Sequence, residues 1–276
     1  MRVLAINDVS CLGKCSLTVA QPIISACGIT CNVLPTALLS THTGGFTGYT
    51  FRDLTEDIPS ILAHWKTLNI QFDYIYSGYL GSIEQIDLVL LIIREFLSEN
   101  GTVVVDPVMG DNGTLYSGFT KAYVEKMRSL CRRADFILPN ETEACYLSEV
   151  PYPLTPKTAE ETLRKLQTLC PHPIVTGVME KNTVSVYYTE DNTIRSYTHE
   201  NVEGFFCGAG DVFASAFVGC LARGKSPTES IRLSSDFVTN AIRRSAIEVT
   251  DKRYGLNFEK ELYPFLQKLN EDTVTV

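Results

Sequence analysis

Runs of β-branched and other apolar residues alternate along this chain with amphipathic stretches. The apolar runs predict strands at residues 2–6, 29–34, 72–76, 102–105, 135–138 and 173–177. The stretches between them, such as residues 58–65, carry apolar residues at helical spacing and predict helices. Strands that alternate with helices indicate an α/β fold with a central, mainly parallel β-sheet and helices on both of its faces.

Local signals mark several element boundaries. The first predicted helix begins at about Ser16 and stops at Gly28, a residue type that suits the left-handed position after a helix. Ser82 and Gln85 form a capping-box pattern for a helix that should continue to residues 100–101. Alternating residues on either side of an Asp-Asn turn predict a β-hairpin over residues 184–198.

Length and composition indicate one globular domain. The chain has 276 residues, of which 45% are hydrophobic and 20% charged, and it contains no internal repeat or Pro/Gly/Ser-rich linker. We therefore expect a single domain over residues 1–276. Asp8 comes too early for a signal peptide, and no apolar run reaches about 18 residues, so we expect a cytoplasmic protein with no membrane partner.

Charge and cysteine content argue against other classes. The formal net charge is −8 and the pI is near 5.1, so we expect no nucleic-acid partner. Nine cysteines, an odd number scattered through apolar segments, fit reduced thiols better than a disulfide framework. Cys11 and Cys15 form one CxxxC pair, and Cys27 and Cys31 form another. The second pair straddles a predicted helix end, which argues against a zinc site.

The main chemical signal lies in residues 201–217. Gly208 and Gly210 can take left-handed backbone angles and approach a ligand closely, and a helix is predicted to start near Asp211. Unpaired N–H groups at a helix N-terminus favour phosphate oxygens, and a carboxylate beside them can accept a proton from an attacking hydroxyl. This pairing suits phosphoryl transfer. The alternative is a tight loop whose aspartate only caps the helix.

Polar residues follow the first predicted strand, at the edge of the sheet where ligands usually lie. Asp8 and Ser10 are therefore candidates for substrate contact. Gly13 and Lys14 resemble part of a Walker loop, but the first glycine and the Ser/Thr of that motif are absent, which excludes it.

Two later strands end in acidic loops. Asp106 and Asp111 lie five residues apart after one strand, and oxygen ligands of this kind suit a hydrated magnesium ion. Asn140 and Glu143 follow the next strand and could reach one side of a helix's first turn, which makes Glu143 a further candidate for the magnesium environment. Simple capping of the loops is the alternative for the acidic pair.

The segment of residues 40–49 is polar and rich in glycine. Hydroxyls, an imidazole and aromatic rings are concentrated there, so we expect a lid or binding loop. An ordinary surface loop is the alternative.

Taken together, four motifs in this order resemble the ribokinase superfamily, and within it the pyridoxal and pyridoxamine kinases. They are Gly208-Ala209-Gly210-Asp211, residues 77–82, Asp106-Pro107-Val108-Met109-Gly110-Asp111 and Pro139-Asn140-Glu141-Thr142-Glu143. The resemblance implies a ribokinase-like α/β fold, ATP and magnesium, often a monovalent cation such as K⁺ or Na⁺, and a homodimer. It also implies ATP-dependent phosphorylation of the 5′-hydroxymethyl group of a B6 vitamer.

Family roles carry over to matching positions of this chain. Asp211 resembles the catalytic base, and the backbone of Gly208, Ala209 and Gly210 resembles the anion hole. On the nucleotide and metal side, the matching residues are Asp106, Asp111, Asn140, Glu143, Thr176 and Gly177. Thr43 and Tyr79 match positions that border the vitamer ring.

Two departures and two alternatives accompany this resemblance. Asp8 stands where many relatives place a ring-binding serine, with Ser10 nearby, and it could favour the protonated amine of pyridoxamine. Alternatively, Asp8 bonds the nearby backbone and never meets the substrate. Ala209 replaces a frequent threonine and should leave the backbone donors intact. A hydroxymethylpyrimidine kinase of the same fold, or a nucleotide or vitamer sensor without catalysis, would share many of these motifs.

Overall fold

The structure is a computed structural model that describes residues 1–204, 206–248 and 251–271. Phe205, in the middle of the candidate phosphoryl-transfer stretch, lies outside the described residues. Internal contacts divide the chain into two compact units. Unit 1 comprises Met1–Leu54 and Val202–Val276, and unit 2 comprises Thr55–Asn201. The expectation of a single domain over residues 1–276 stays a prediction.

Strands and helices alternate through most of the chain. The strands are β1 (Arg2–Leu12), β2 (Thr30–Thr41), β3 (Phe51–Asp53), β4 (Phe72–Ser77), β5 (Leu97–Val105), β6 (Gly110–Asp111), β7 (Thr114–Leu115), β8 (Phe136–Ile137), β9 (His172–Pro173), β10 (Val175–Glu180), β11 (Thr183–Glu190) and β12 (Thr193–Glu200). The helices are α1 (Leu17–Ala26), α2 (Ile58–Thr67), α3 (Ile83–Phe96), α4 (Lys121–Cys131), α5 (Glu141–Ser148), α6 (Pro156–Leu166), α7 (Ala209–Ala222), α8 (Pro227–Glu248) and α9 (Leu262–Glu271).

In unit 1, β1 pairs in parallel with β2, and β3 pairs antiparallel to β2. Helix α7 packs on α1 and α8, and its residues 212–222 are all buried. A helix that is apolar on every side belongs in a protein core. Close contact between α1 and α7 depends on Gly219, because a Cβ there would lie 2.6 Å from the Cys27 sulfur. The core of unit 1 therefore fixes the position of the start of α7.

In unit 2, β4, β5, β8 and β9 form parallel pairs in that order. Their apolar side chains, including Ile75 and Val104, are fully buried. A separate antiparallel sheet contains β10, β11 and β12, and the short strands β6 and β7 form a hairpin. The hairpin predicted over residues 184–198 is confirmed by the pairing of β11 with β12.

Several predicted boundaries were wrong. Strands β1 and β2 continue beyond the ends predicted at residues 6 and 34. Pro35 does not end β2, because it pairs opposite Asn7 just before an irregularity in the β1–β2 register, where a missing N–H is tolerated. The strand predicted at residues 173–177 is divided between β9 and β10.

Helix α3 was predicted to extend to residues 100–101 but ends at Phe96, where β5 begins. The six residues of β5 from Leu97 to Thr102 lie opposite only three of β4, Phe72 to Tyr74, so residues 98–101 form an irregularity in the strand. Ser82 caps α3 as predicted by accepting the Gln85 N–H, but the Gln85 side chain bonds the Gly81 N–H instead of completing the capping box. No helix among the described residues is long and apolar enough to span a membrane.

Candidate active site

The start of α7 explains why glycine occupies position 208. Gly208 lies before the helix with φ at 77°, a conformation that suits glycine. A Cβ at this position would collide with the carbonyl oxygen of Lys14. The Lys14 side chain does not act as a Walker lysine, because its ammonium group bonds Asn257 at 3.0 Å and Glu259 at 2.8 Å. Both backbone conformation and space therefore require glycine at this position.

Helix α7 begins at Ala209, two residues earlier than predicted. Gly210 therefore lies in the first helical turn, and it is not among the residues with positive φ. A Cβ at Gly210 would meet no atom within 4 Å, so this side of the turn is open. The first N–H groups of a helix have no acceptor within the helix, and those of Ala209, Gly210 and Asp211 are available to a negatively charged ligand.

The Asp211 carboxyl group lies in the first turn of α7 and is half-buried. Asn7 donates its side-chain N–H to Asp211 Oδ1 at 3.4 Å, and the other end of the Asn7 amide accepts the Asp8 N–H at 3.0 Å. Burial is the main cause that raises the pKa of Asp211 to about 6, and the charge of the nearby Asp8 acts in the same direction. Hydrogen bonds from the Ser16 backbone N–H and the Asn7 side chain oppose this shift. A carboxylate with such a pKa is suited to accepting a proton near neutral pH.

Asp8 is buried at the register shift between β1 and β2. Its Oδ1 accepts a 2.6 Å hydrogen bond from the Ser16 hydroxyl, and its Oδ2 accepts one of 3.3 Å from Ser10. Burial raises the pKa of Asp8, while the two serine hydroxyls lower it. Both carboxylate oxygens thus have side-chain donors within unit 1. The predicted contact of Asp8 and Ser10 with substrate stays a prediction.

The candidate lid, residues 40–49, contacts the segment of residues 251–255. His42 Nδ1 accepts the Gly44 N–H, so Nε2 carries the hydrogen that it donates to the Arg253 carbonyl oxygen at 2.6 Å. Phe46 packs edge-on against Tyr254, with the ring centroids 5.4 Å apart. Thr43 is exposed on this loop and is available to a ligand.

In unit 2, Asn140 and Glu143 form the capping box of α5. The Asn140 side chain accepts the Glu143 N–H at 2.9 Å, and Glu143 Oε2 accepts the Asn140 N–H at the same distance. Glu143 Oε1 accepts the Met109 N–H at 3.0 Å, and Asn140 donates to the Gly110 carbonyl oxygen at 2.8 Å. The prediction that these two residues lie on one side of a helix's first turn is confirmed. The pair also holds the acidic loop that precedes β6.

The two acidic-loop residues differ in environment. Asp106 is buried, whereas Asp111 is half-buried at the β6–β7 hairpin. Asp111 accepts hydrogen bonds from the backbone and side chain of Asn112, at 2.8 and 3.1 Å. Burial raises the pKa of Glu143, and the nearby Asp111 adds to this shift. Within the described residues, no three His, Cys, Asp or Glu side chains form a cluster that could hold a metal ion alone.

Thr176 and Gly177 lie at an irregularity of β10. The pairing of β10 with β11 shifts register between Val175 and Val178, and Gly177 takes a φ of 75° with open space beside it. Thr176 forms a parallel bridge with Asn140 and donates its N–H to the Pro139 carbonyl oxygen at 2.9 Å. Irregular strands often lie beside functional sites. In unit 2 the fold thus places the predicted nucleotide residue Thr176 next to Asn140.

Tyr79 is half-buried in an aromatic group of unit 2. Its ring centroid lies 5.9 Å from that of Phe119, which stacks on Tyr123 at 4.0 Å. Tyr123 anchors this group by donating its hydroxyl to the Leu80 carbonyl oxygen at 2.6 Å. A rigid aromatic wall of this kind suits a flat ring.

Sequence reasoning missed Asn7 and Ser16, the two residues that bond Asp211. Asn7 precedes Asp8 at the end of the predicted first strand, but no local pattern predicts its contact with Asp211, which lies 204 positions away in the sequence. Ser16 was read only as the start of α1. An unusual polar residue in a buried strand was the one available signal for Asn7.

Comparison with known proteins identifies the family of this chain. The model of the phosphomethylpyrimidine kinase family matches residues 23–257. The chain belongs to this family. It is therefore a kinase, with ATP as the phosphoryl donor that kinases of this group use.

Three similar proteins cover most of the chain. A crystal structure with pyridoxal from Bacteroides thetaiotaomicron, described as a phosphomethylpyrimidine kinase, is 39% identical with a TM-score of 0.90, over 96% of this chain and 95% of that one. Pyridoxal kinase from Lactobacillus plantarum is 32% identical with a TM-score of 0.91, over 98% of each chain. Pyridoxine kinase from Bacillus subtilis is 30% identical over 68% of this chain and 71% of its own. The two solved structures confirm the predicted ribokinase-like α/β fold.

Proposed function

We propose that this kinase transfers the γ-phosphoryl group of ATP to the 5′-hydroxymethyl group of a B6 vitamer: pyridoxal, pyridoxamine or pyridoxine. The observation that carries the reaction type is Asp211, a half-buried carboxyl group with a raised pKa in the first turn of the helix that follows Gly208. The vitamer is supported by relatives named pyridoxal and pyridoxine kinase and by the similar structure crystallised with pyridoxal. The chain works as a single kinase domain, residues 1–276.

In this mechanism, unit 1 activates the acceptor. Asp211 accepts the proton of the attacking hydroxyl group, which becomes a better nucleophile as it loses that proton. The N–H groups of Ala209 and Gly210 stabilise negative charge on the transferring phosphoryl group. The Lys14 carbonyl oxygen, packed against Gly208, keeps this turn in place. Positioning and electrostatic stabilisation supply most of the rate in phosphoryl transfer.

Unit 2 contributes the groups that we assign to nucleotide and magnesium. Asp106 and Asp111 would offer carboxylate oxygens, the ligand type that magnesium prefers. Both oxygens of Glu143 already accept backbone N–H groups, so this residue fits a role through water instead of direct ligation. Magnesium, when bound, reduces repulsion between the phosphates and the incoming oxygen. Asn140, Thr176 and Gly177 complete the nucleotide side.

On the vitamer side we assign Thr43 on the lid and Tyr79 on the aromatic wall, with Asp8 and Ser10 as further candidates. A monovalent cation, a homodimer and a cytoplasmic location are also part of the proposal. Each follows from the family resemblance and stays a prediction.

A substrate panel tests the proposal. Consumption of ATP would be measured with pyridoxal, pyridoxamine, pyridoxine and hydroxymethylpyrimidine in parallel, each with and without magnesium. We expect turnover of at least one vitamer at a kcat/KM above that for hydroxymethylpyrimidine. Turnover of hydroxymethylpyrimidine alone would assign the chain to the alternative kinase activity, and binding of vitamer without ATP consumption would assign it to the sensor class.

A further inference from the structure

Ser16 has an unusual conformation for a residue at the start of a helix. It occupies the N-cap position of α1 with φ at 54° and ψ at −133°, whereas an N-cap serine usually has an extended backbone. A non-glycine residue in such a region is strained and persists only where its surroundings hold it. The hydroxyl group does not cap the helix, because it forms no hydrogen bond to an N–H of the first turn.

The Ser16 hydroxyl bonds the Asp8 carboxylate instead. This 2.6 Å hydrogen bond is short and buried, and it goes to a group that is 6% exposed. Hydrogen bonds to ionised acceptors are the stronger ones in proteins. The backbone carbonyl of Ser16 is also held, since it accepts the N–H groups of Val19 and Ala20 at 3.0 and 2.9 Å. Asp8 and the first turn of α1 therefore hold Ser16 from two sides.

The constrained residue directs its backbone N–H toward the candidate base. That N–H bonds the Asp211 carboxylate, which also receives the Asn7 amide at 3.4 Å. Asn7 is in turn oriented by the Asp8 backbone, whose N–H bonds the Asn7 side-chain oxygen. The Ser16 N–H thus depends on the Asp8 carboxylate, and the Asn7 amide depends on the Asp8 N–H. Both donors to Asp211 are therefore held by residue 8.

We propose that Asp8 is a positioning residue for the catalytic base: it holds Ser16 in its left-handed conformation and so aims the Ser16 N–H at Asp211. This inference rests on the proposed role of Asp211. It differs from a contact between Asp8 and the vitamer, because it assigns the charge and both oxygens of Asp8 to groups within unit 1. Substitutions at position 8 then change the turnover of every vitamer by the same factor.

Glycine at position 16 provides the test, because glycine adopts this conformation without help from a hydroxyl group and is tolerated at an N-cap. We expect Ser16→Ala to lower kcat about tenfold, the scale of one hydrogen bond. Ser16→Gly should lose less than about threefold. KM for ATP and for pyridoxal should change less than about twofold in both variants, since the substrates are bound by other groups. Asn69→Gly, which replaces an exposed residue with φ at 51°, is the matched control and should keep the parent kcat.

Position 8 is tested in the same assay. Asp8→Ala should lower kcat about tenfold in the parent, but less than about threefold in the Ser16→Gly background, where the conformation no longer needs the carboxylate. Asp8→Asn keeps an oxygen for the Ser16 hydroxyl and should retain at least a third of kcat. If Asp8→Ala does not fold, the comparison of Ser16→Ala with Ser16→Gly and the kcat of Asp8→Asn still test the inference.

Several outcomes would overturn the inference. Equal kcat for Ser16→Ala and Ser16→Gly would show that the conformation of Ser16 does not matter for turnover. An equal loss of kcat from Asp8→Ala in the parent and in the Ser16→Gly background would show that Asp8 does not act through the conformation of Ser16. A change of about tenfold in the ratio of kcat/KM between pyridoxamine and pyridoxal for Asp8→Asn would assign Asp8 to the substrate. Asp211→Asn serves as the reference: if it keeps the parent rate, the proposed base itself is wrong and the inference falls with it.

Discussion

Each unit of this kinase contains a carboxyl group whose pKa is raised by burial, and the two groups differ in what their oxygens do. Glu143 in unit 2 is 2% exposed, and each of its oxygens accepts a backbone N–H at about the same distance, 2.9 or 3.0 Å. Asp211 in unit 1 is half-buried and receives a longer 3.4 Å bond from Asn7 together with the Ser16 N–H. Both oxygens of Glu143 are therefore engaged by the fold, whereas the Asp211 residue is partly exposed.

This difference separates a structural acid from a chemical one. Both oxygens of Glu143 are engaged by backbone N–H groups, and removing the carboxyl group would leave those donors unpaired. A half-buried carboxylate beside open space can meet a substrate hydroxyl, and its raised pKa makes it a stronger base. The same physical cause, burial, thus accompanies two different roles, and hydrogen-bond geometry distinguishes them.

The largest expected effect is at the open carboxylate. Asp211→Asn keeps the size and the Asn7 contact of the side chain but removes the basic oxygen, so kcat should fall about 100-fold or more. ATP affinity should change little, because the N–H groups of the first turn remain. Steady-state kinetics and nucleotide titration would check both values.

Asp57→Asn is a suitable control for this substitution, since Asp57 is exposed at the start of α2 and its side chain caps no N–H. It should leave kcat at the parent value. If Asp211→Asn also kept that value, the assignment of the base would be refuted, and the comparison between the two carboxyl groups would lose its chemical meaning.

A smaller effect is expected on the nucleotide side. Replacing Asp106, Asp111 or Glu143 by alanine should raise the magnesium concentration for half-maximal rate about tenfold, because groups around a metal tune its affinity even when they act through water. Vitamer KM should change much less. A magnesium titration of the rate for each variant measures this.

Glu141→Ala is the matched control for the three acidic residues. Glu141 lies in the same turn, but its carboxylate bonds the Leu154 N–H at 2.6 Å and belongs to none of the predicted sites. Its magnesium requirement should equal that of the parent. Unaltered titrations for all three acidic residues would remove them from the magnesium environment.

The Asp211–Glu143 comparison also shows what the sequence could predict. Asn140 and Glu143 were correctly placed on one side of a helix's first turn because they lie three residues apart at a helix start, where spacing determines which residues are neighbours. Gly208 before α7 was predicted from the same kind of local rule. The donors to Asp211 could not be found in this way, since Asn7 and Ser16 come from the other end of the chain. Local patterns identify helix ends, and only the folded core brings distant donors to them.

The wrong strand boundaries have a related physical cause. Pro35 and the Asn100-Gly101 pair look like breaks in a local pattern, but each lies within or beside a strand irregularity that pairing with a neighbouring strand makes tolerable. Register between strands is a tertiary property. The predicted alternation of elements was therefore right, while the ends of β1, β2 and α3 required the structure.

The pH dependence of turnover tests the raised pKa of Asp211 directly. The base must be deprotonated to act, so kcat/KM should be constant above pH 7 and fall as pH decreases through about 6. One unit below that pKa only about a tenth of the base is ionised, so kcat/KM at pH 5 should be about tenfold lower. Circular dichroism at pH 5 would establish that the protein is still folded. A rate that stays constant down to pH 5 would contradict the raised pKa.

The smallest effect is expected at the lid of unit 1, because part of it is already held. The two ends of the loop are tied, since Ser40 N–H bonds the Thr50 carbonyl oxygen at 3.1 Å and Thr50 N–H bonds the Ser40 hydroxyl at 2.9 Å. Phe46 is covered by the Arg253 guanidinium group at 4.9 Å. Residues 47–49 are exposed and should respond most to ligand.

Hydrogen exchange would measure this response with vitamer and a non-hydrolysable ATP analogue both bound. We expect amides of residues 43–49 to exchange about threefold more slowly than in the free protein, because closure over ligand removes part of the local opening that exchange requires. The β11–β12 turn at Asp191 and Asn192 in unit 2 is an exposed reference whose exchange should not change. Equal exchange with and without ligands would make residues 40–49 an ordinary surface loop, whereas protection of both segments would indicate a general stiffening of the protein instead of lid closure.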